Sequence, residues 1–138
     1  MPSQPPSYVT GVPNVLLRAE AVLMLLGAAA AYIWVGGNWL LFLLLMLVPD
    51  LAMLGYLAGL RVGTAIYNGV HWYGVPFILV AIGAAGYSFL ALEIGLIWIA
   101  HISFDRMIGA GLKYPLGFRF SHLGIYGKEP AETSGIPG

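Results

Sequence analysis

Four long apolar runs, separated by short breaks, constrain the fold of this chain more than any other feature. The first run extends from Val15 to Val35 and is interrupted only by Arg18 and Glu20 near its start. A helix needs about 20 predominantly apolar residues to cross the hydrocarbon core of a bilayer. We therefore predict an all-α fold, an integral membrane bundle of four transmembrane helices. The predicted spans are 15–35, 39–60, 62–85 and 87–108.

The composition supports this class and excludes several functions. Apolar residues make up 59% of the chain and charged residues 9%, whereas soluble domains carry about 25% charged residues. Cysteine is absent, so neither a disulfide nor a thiolate metal ligand can form. The sequence has no phosphate-binding loop, no Gly-x-Ser-x-Gly motif and no basic nucleic-acid patch. The expected partner is the lipid bilayer, without nucleic acid; a homo-oligomer or a larger membrane complex stays open.

The two ends of the chain differ from the apolar runs. Residues 1–14 are rich in Pro, and we predict a disordered lead there and a disordered tail at 127–138. A cleaved signal peptide is the alternative for the first run, although the leader lacks the usual basic cluster. Residues 109–126 combine aromatic and basic residues with Gly and Pro, which predicts a broken interfacial segment. We expect it to cover the cytoplasmic mouth of the bundle, with a simple surface anchor as the alternative.

The basic residues predict the topology. Four spans place both termini and the turn at Arg61 on one side of the membrane, and all six Lys and Arg residues lie on that side. The opposite connections, at 36–38 and 84–88, contain no basic residue. By the positive-inside rule both termini are predicted to be cytoplasmic, in a multi-pass protein of the cell's inner (plasma) membrane.

Ionisable residues inside a span are costly in lipid and indicate a functional site. Asp50 and His71 lie eleven and ten residues from Arg61. A hairpin that turns at Arg61 therefore places both at a depth of about 15 Å. His101 and Asp105 are four residues apart on the last helix, so their side chains project about 40° apart around its axis. We expect these four residues to converge on one cavity.

Imidazole and carboxylate groups without thiolates form a ligand set that suits Zn, Fe or Mn. We assign Asp50, His71, His101 and Asp105 as ligands of a divalent transition metal, which would activate a water molecule near neutral pH. Catalytic roles are assigned to Asp105 and to Glu20, the latter as a general base or a partner of a ligand. The candidates for substrate binding are Tyr56, Asn68, Arg106, Lys113 and His122.

Each of these polar residues also has a simpler interpretation. Asp50 and His71 could neutralise each other and fix the register of two helices without any cofactor. Glu20 could pair with Arg18 at the interface, and Asp105 could mark only the end of a span. Glu93, near the opposite end of the last helix, is interpreted as a snorkelling or packing residue.

Glycines spaced four residues apart suggest a close contact between helices. Gly55, Gly59 and Gly63 form a strip without side chains, which allows a neighbouring helix to approach closely. We therefore predict that all three lie in one helix contact.

Four motifs resemble those of a known family. They are Pro49-Asp50-Leu-x-Met53-Leu-Gly-Tyr56-Leu-Ala-Gly59, Tyr67-Asn68-x-x-His71, His101-x-x-x-Asp105-Arg106, and Gly111-Leu-Lys113-Tyr-Pro115-x-Gly-Phe118-x-x-x-His122-Leu-Gly124. Over about residues 15–126 the chain resembles a small bacterial integral-membrane family, domain of unknown function four-two-six-zero. The resemblance implies a membrane fold and no particular activity. The buried His and Asp residues also look distantly similar to those of inner-membrane metal-dependent hydrolases.

Two classes of function agree with these observations. The first is a metal-dependent membrane hydrolase that acts on an amphiphilic substrate through the His and Asp cluster. The alternative is a non-enzymatic accessory subunit, or a small-molecule-binding membrane protein, whose polar cluster only fixes helix packing. The sequence does not discriminate between them.

Overall fold

The structure is a computed structural model that describes residues 8–115 and 120–125. The α-helices are α1 (Gly11–Trp34), α2 (Trp39–Leu45), α3 (Leu60–Val70), α4 (Gly74–Ala84) and α5 (Phe89–Met107). A 3₁₀ helix, Val48–Ala58, lies between α2 and α3. Two short strands, β1 (Phe120–Ser121) and β2 (Gly124–Ile125), pair as an antiparallel hairpin.

In the described residues, α2 and the 3₁₀ helix together form one helical segment, and α3 and α4 form another. With α1 and α5, the fold therefore has four helical segments. Three of them are long and apolar enough to cross a membrane, namely Gly11–Trp34, Trp39–Ala58 and Leu60–Ala84. The fourth is α5, whose 19 residues include Glu93, Asp105 and Arg106. The prediction of an all-helical fold is thereby confirmed, and three of its helices have the length and apolar composition that a membrane span requires.

Helix α1 begins before the apolar run. It starts at Gly11, so Pro13 falls within the first turn, where the missing N–H of proline costs no helical hydrogen bond. Val9 N donates to His122 O at 3.0 Å, and the Asn14 side chain donates to Leu123 O at 2.8 Å. These two bonds hold residues of the predicted disordered lead against the C-terminal hairpin. Residues 1–7 lie outside the described residues.

The second and third spans are broken, although the sequence predicts them as continuous helices. After α2 the chain passes into the 3₁₀ helix, which has Pro49 in its first turn. α3 ends at Val70, and α4 begins only at Gly74. Pro76 explains the second break, because in a continuous helix its ring would clash with the carbonyl group of Trp72. Both breaks lie beside residues of the predicted site.

Helix α5 forms the core. It packs against α1 and α4 along its length, and it contains the largest group of buried side chains, including Ile97, Ile99 and Ile102. Near its start, the buried Glu93 carboxylate accepts hydrogen bonds from Asn38 N at 3.1 Å and from the Tyr32 hydroxyl at 3.4 Å. Glu93 therefore ties α5 to the turn after α1, in agreement with a packing role.

The 3₁₀ helix packs against α3. A Cβ atom on Gly63 would lie 2.6 Å from Tyr56 Cα, and one on Gly55 would lie 3.4 Å from Gly63 Cα, so these two glycines line the contact. Gly59 does not belong to it. It forms the turn between the two helices at φ +115°, with open space around the position of a Cβ. The prediction that all three glycines share one contact is therefore wrong for Gly59.

The described part of the C-terminal segment folds back onto the bundle. The Asn68 side chain donates to Lys113 O at 2.8 Å and accepts from Lys113 N at 2.7 Å. The buried Ser121 hydroxyl donates to Gly109 O at 2.9 Å. These bonds hold the segment against α3 and the end of α5. Residues 116–119 and the predicted tail at 127–138 lie outside the described residues, as does Tyr126.

Candidate metal centre

Four side chains from three parts of the fold converge on one point. Asp50 comes from the 3₁₀ helix, His71 from the break between α3 and α4, and His101 and Asp105 from the last two turns of α5. One ligand atom of each residue lies within 4.8 Å of those of the other three. The structure thus brings together the four residues that the sequence predicts to converge.

The distances between these atoms resemble those of a coordination shell. The two histidine Nε2 atoms are 3.2 Å apart, and His101 Nε2 lies 3.2 Å from both Asp50 Oδ1 and Asp105 Oδ2. His71 Nε2 lies 3.4 Å from Asp105 Oδ2 and 3.9 Å from Asp50 Oδ1. Ligands at about 2.0–2.1 Å from a tetrahedral metal ion are separated from each other by about 3.4 Å. Four of the six separations agree with that spacing, whereas Asp50 Oδ1 lies farther from His71 Nε2, at 3.9 Å, so the shell is widest at Asp50.

Backbone carbonyl groups determine which ring nitrogen faces the centre. His71 Nδ1 bonds to Tyr67 O at 2.9 Å, and His101 Nδ1 bonds to Met46 O at 2.6 Å. A carbonyl oxygen can only accept, so each Nδ1 carries the hydrogen and each neutral ring presents an unprotonated Nε2 to the cluster. Metal-binding histidines are commonly oriented by this kind of hydrogen bond.

While both rings are neutral, the cluster is a group of four acceptors that meet without a donor. Two Nε2 lone pairs and two carboxylate oxygens repel one another at these distances, unless positive charge lies among them. Either a metal ion or protons on the imidazole rings can supply that charge. The donor set and its spacing fit a divalent transition metal, and two carboxylates would balance its charge.

The four residues differ in burial. His71 and His101 are each 3% exposed, whereas the side chains of Asp105 and Asp50 are 14% and 49% exposed. Three ligands are thus enclosed, and Asp50 lies at the open edge. Catalytic zinc sites typically combine three protein ligands with one open position, whereas structural sites have four and are closed. The exposure of Asp50 makes this site resemble the catalytic kind.

An aromatic and cationic layer covers His71. The Tyr67 ring stacks on the imidazole with a centroid distance of 3.8 Å and an interplanar angle of 7°. Lys113 Nζ lies over the same Tyr67 ring, 4.6 Å from its centroid. Burial lowers the pKa of Lys113, while the charges of Asp105 and Asp50 act in the opposite direction. Lys113 therefore brings a positive charge close to the two carboxylates.

Asn68 and Tyr56 have structural partners. Asn68 binds the main chain of Lys113 through both ends of its amide, and so positions that lysine. The Tyr56 hydroxyl lies 3.3 Å from Thr64 Oγ1, between the 3₁₀ helix and α3.

The other three predicted site residues lie together elsewhere. Glu20 is exposed, and it lines a small cavity of about 90 Å³ together with Arg106 and His122. The Arg106 guanidinium lies 4.5 Å from the centroid of the Tyr73 ring. His122 Nδ1 accepts from Leu112 N at 3.0 Å, and burial together with the charge of Arg106 lowers the pKa of His122. None of the three belongs to the four-residue cluster.

Sequence reasoning missed the contributions of Tyr67 and Met46. Tyr67 precedes His71 by one helical turn, so a stacking contact and a bond to Nδ1 could have been inferred from the spacing. Met46 acts through its backbone carbonyl, which becomes available because α2 ends nearby. No side-chain pattern could have indicated this role.

Comparison with known protein families gives a match over most of the chain. The family model described as "Domain of unknown function (DUF4260)" matches residues 14–125, which is most of the chain. No curated protein and no solved structure matches.

Proposed function

The chain belongs to the DUF4260 family, and for this member we propose a membrane-embedded, metal-dependent hydrolase that acts on an amphiphilic substrate. The observation that supports it is the convergence of two imidazole Nε2 atoms and two carboxylate oxygens, with the Nδ1 atom of each ring bound to a backbone carbonyl oxygen. The metals that suit this ligand set are Zn, Fe and Mn.

In this proposal α5 is the fourth transmembrane helix. Glu93 near its start contacts the turn that follows α1, and Gly109 just after its end lies beside the Arg18 guanidinium near the start of α1. The two helices therefore run antiparallel over most of their length, so a membrane that contains α1 also contains α5. Both termini are then on the side of the basic residues, which is the cytoplasmic side of the inner membrane.

This topology has a direct test. A reporter that is active only outside the cytoplasm, fused after Gly138, should give no signal. The same reporter inserted in the 36–38 turn should be active. The reverse pattern would contradict the orientation.

The residues around the cluster have different proposed roles. His71, His101 and Asp105 would hold the metal from the enclosed side, and Asp50 at the open edge would either be the fourth ligand or serve as the base that accepts a proton from water. When bound, the metal supplies Lewis acidity and lowers the pKa of a bound water to about 7. Lys113 supplies positive charge for an anionic group of the substrate. Glu20 lies among other residues, so we assign it no step.

A second candidate function rests on the packing of the 3₁₀ helix and α3. These two helices pack mainly on each other, and the cluster joins them to α5. A metal or a set of ion pairs at this point could serve only to hold that hairpin in place, in a non-enzymatic accessory or ligand-binding protein.

Metal analysis of the detergent-purified full chain tests the central proposal. Wild type should contain stoichiometric zinc, iron or manganese, and the His71→Ala and His101→Ala variants should lose it. His122→Ala is the matched control, because it removes a histidine outside the cluster and should retain the metal. Metal-free wild type, or metal retained in both cluster variants, would contradict a metal centre.

A further inference from the structure

An apolar cavity of about 540 Å³ adjoins the proposed metal centre. Its walls come from the 3₁₀ helix and the residues around it, from α3 and from α5, and all its lining residues are apolar, including Leu45, Ala52, Ile66 and Ile94. A charged head group would lose its hydration there without gaining a partner. The cavity therefore suits hydrocarbon.

Three lining residues of the cavity are close neighbours of cluster residues along the chain. Pro49 and Val70 line the cavity and directly precede Asp50 and His71, while Ile97 lines it one helical turn before His101. None of the four cluster residues lines the cavity itself, so the cavity lies beside the cluster and extends from there toward the start of α5, which is toward the bilayer interior in the proposed topology.

The outer rim of the cavity is open. Val48 and Leu51 line it and are 46% and 61% exposed, so a molecule in the surrounding lipid can enter from the side. On the inner wall, Trp98 Nε1 donates to Val70 O at 2.7 Å. That bond satisfies the indole N–H and leaves the apolar ring as a wall.

The volume of the cavity favours a flexible hydrocarbon chain over a helix as its occupant. Known ligand pockets measure about 300–1,000 Å³, and this cavity holds on the order of a dozen or more methylene groups if each takes about the volume of a water molecule. A partner helix, about 10 Å across, would need roughly 800 Å³ for a length of only about 10 Å. A single flexible chain fits the space, whereas a helix does not.

We propose that this cavity binds one acyl chain of a lipid ester and that the ester carbonyl then lies at the metal centre. The inference rests on the proposed function, because it names the substrate class of that hydrolase. In the reaction, water oxygen bonds to the acyl carbon and the ester C–O bond breaks. The products are an alcohol, which takes one proton, and a fatty acid, which ionises and releases the other.

Chain binding can be measured independently of activity. The probe is hexadecanoic acid carrying a diazirine on its chain, photolysed with the detergent-purified full chain and mapped by peptide mass spectrometry. Labels should fall on the 3₁₀ helix, α3 and the Ile94–Trp98 part of α5, and unmodified hexadecanoate should compete for them.

Two variants fill the cavity, and a third variant, on the exposed face of α1, serves as a control. Ala52→Leu and Ile94→Phe place extra side-chain volume among the lining residues. They should weaken labelling by about tenfold, because the added atoms displace about two methylene groups from apolar contact. Ala30→Leu adds the same volume as Ala52→Leu on the exposed face of α1 and should label as wild type. Metal content of all three variants should equal that of wild type, which shows that the fold is intact.

The outcomes separate the two proposals. Labelling that is spread over lipid-facing helices, and is not reduced by Ala52→Leu or Ile94→Phe, would overturn the acyl-chain site whether or not the protein binds metal. Competed labelling of the cavity walls in a protein that contains no metal would support the chain site and overturn the hydrolase.

A further check uses 4-nitrophenyl esters. Ala52→Leu should reduce cleavage of the hexadecanoate ester more strongly than cleavage of the butanoate ester, and an equal loss for both esters would contradict the chain site.

Discussion

His71 and His101 face each other through their Nε2 atoms at 3.2 Å, while the Nδ1 atom of each ring is bound to a backbone carbonyl. Two neutral imidazoles in this orientation cannot form a hydrogen bond with each other, because neither has a hydrogen on the facing nitrogen. With Asp50 and Asp105 beside them, the histidines form a site that requires positive charge. This relationship between two side chains is the basis of the metal proposal.

The two aspartates should respond differently to removal of their charge. Asp105→Asn replaces an enclosed ligand, and the variant should lose its metal. Asp50→Asn changes a residue at the open edge, so it should retain most of the metal but lose about 10²–10⁴-fold in ester cleavage if Asp50 acts as the base. Metal content and cleavage rate, measured on the same preparations, distinguish the two roles. Equal metal loss in both variants would make Asp50 an ordinary fourth ligand.

Gly63 should tolerate no side chain. In Gly63→Ala the new Cβ would lie 2.6 Å from Tyr56 Cα, which is backbone and cannot move cheaply. We expect a loss of about 1–3 kcal/mol, as at other overpacked sites, seen as a lower melting temperature in detergent. Gly69→Ala on the same helix is the control, since nothing lies within 4 Å of its Cβ position. It should be neutral or stabilising by up to about 1 kcal/mol. Equal melting temperatures for the two variants would mean that the 3₁₀ helix does not pack on α3 in this way.

The sequence predicted the site well because the depth of a residue in a membrane can be calculated from its distance in sequence to the nearest turn. The turn near Arg61 places Asp50 and His71 at the same level, and the i, i+4 spacing on α5 places His101 beside Asp105. Burial by lipid makes such polar residues conspicuous, since each is an exception in an apolar run. Glu20 also interrupts an apolar run, whereas His122 lies in the C-terminal segment outside the predicted spans. The roles predicted for these two residues depended on helix rotation and on the path of the C-terminal segment. Neither of these is encoded in residue spacing.

The breaks in the two central spans were only partly predictable. Pro76 forbids a continuous helix through Trp72, and its effect follows from the chemistry of proline. An eleven-residue 3₁₀ helix after Pro49 has no comparable signal, since runs of this kind longer than three or four residues are uncommon. Packing against α3 decides its conformation. The break matters for function, because it exposes the Met46 carbonyl to His101.

Asn68 should hold the C-terminal segment on the bundle. Asn68→Ala removes two hydrogen bonds to the Lys113 main chain, which we expect to cost about 1–3 kcal/mol of local stability. Hydrogen exchange of amides 110–114 should become faster in the variant. Thr10→Ala is a suitable control, because the Thr10 side chain makes no capping bond to α1. Unchanged exchange in Asn68→Ala would show that the segment is held mainly by its other contacts.

His122 should make stability depend on pH in the mildly acidic range. Burial and the charge of Arg106 lower its pKa in the folded protein below the ordinary value of 6.5. Between the lowered pKa and 6.5 the unfolded chain binds more protons than the folded chain, so His122 contributes stability above about pH 6.5 that is lost as the pH falls through the folded pKa. In His122→Asn, the amide oxygen can still accept from Leu112 N, but no group titrates. The melting temperature of wild type should therefore fall more steeply than that of His122→Asn as the pH is lowered from 7 toward 5, since all other titrating groups are common to both proteins. Parallel curves for the two proteins would mean that His122 is as readily protonated in the fold as in the unfolded chain, and would contradict its placement beside Arg106.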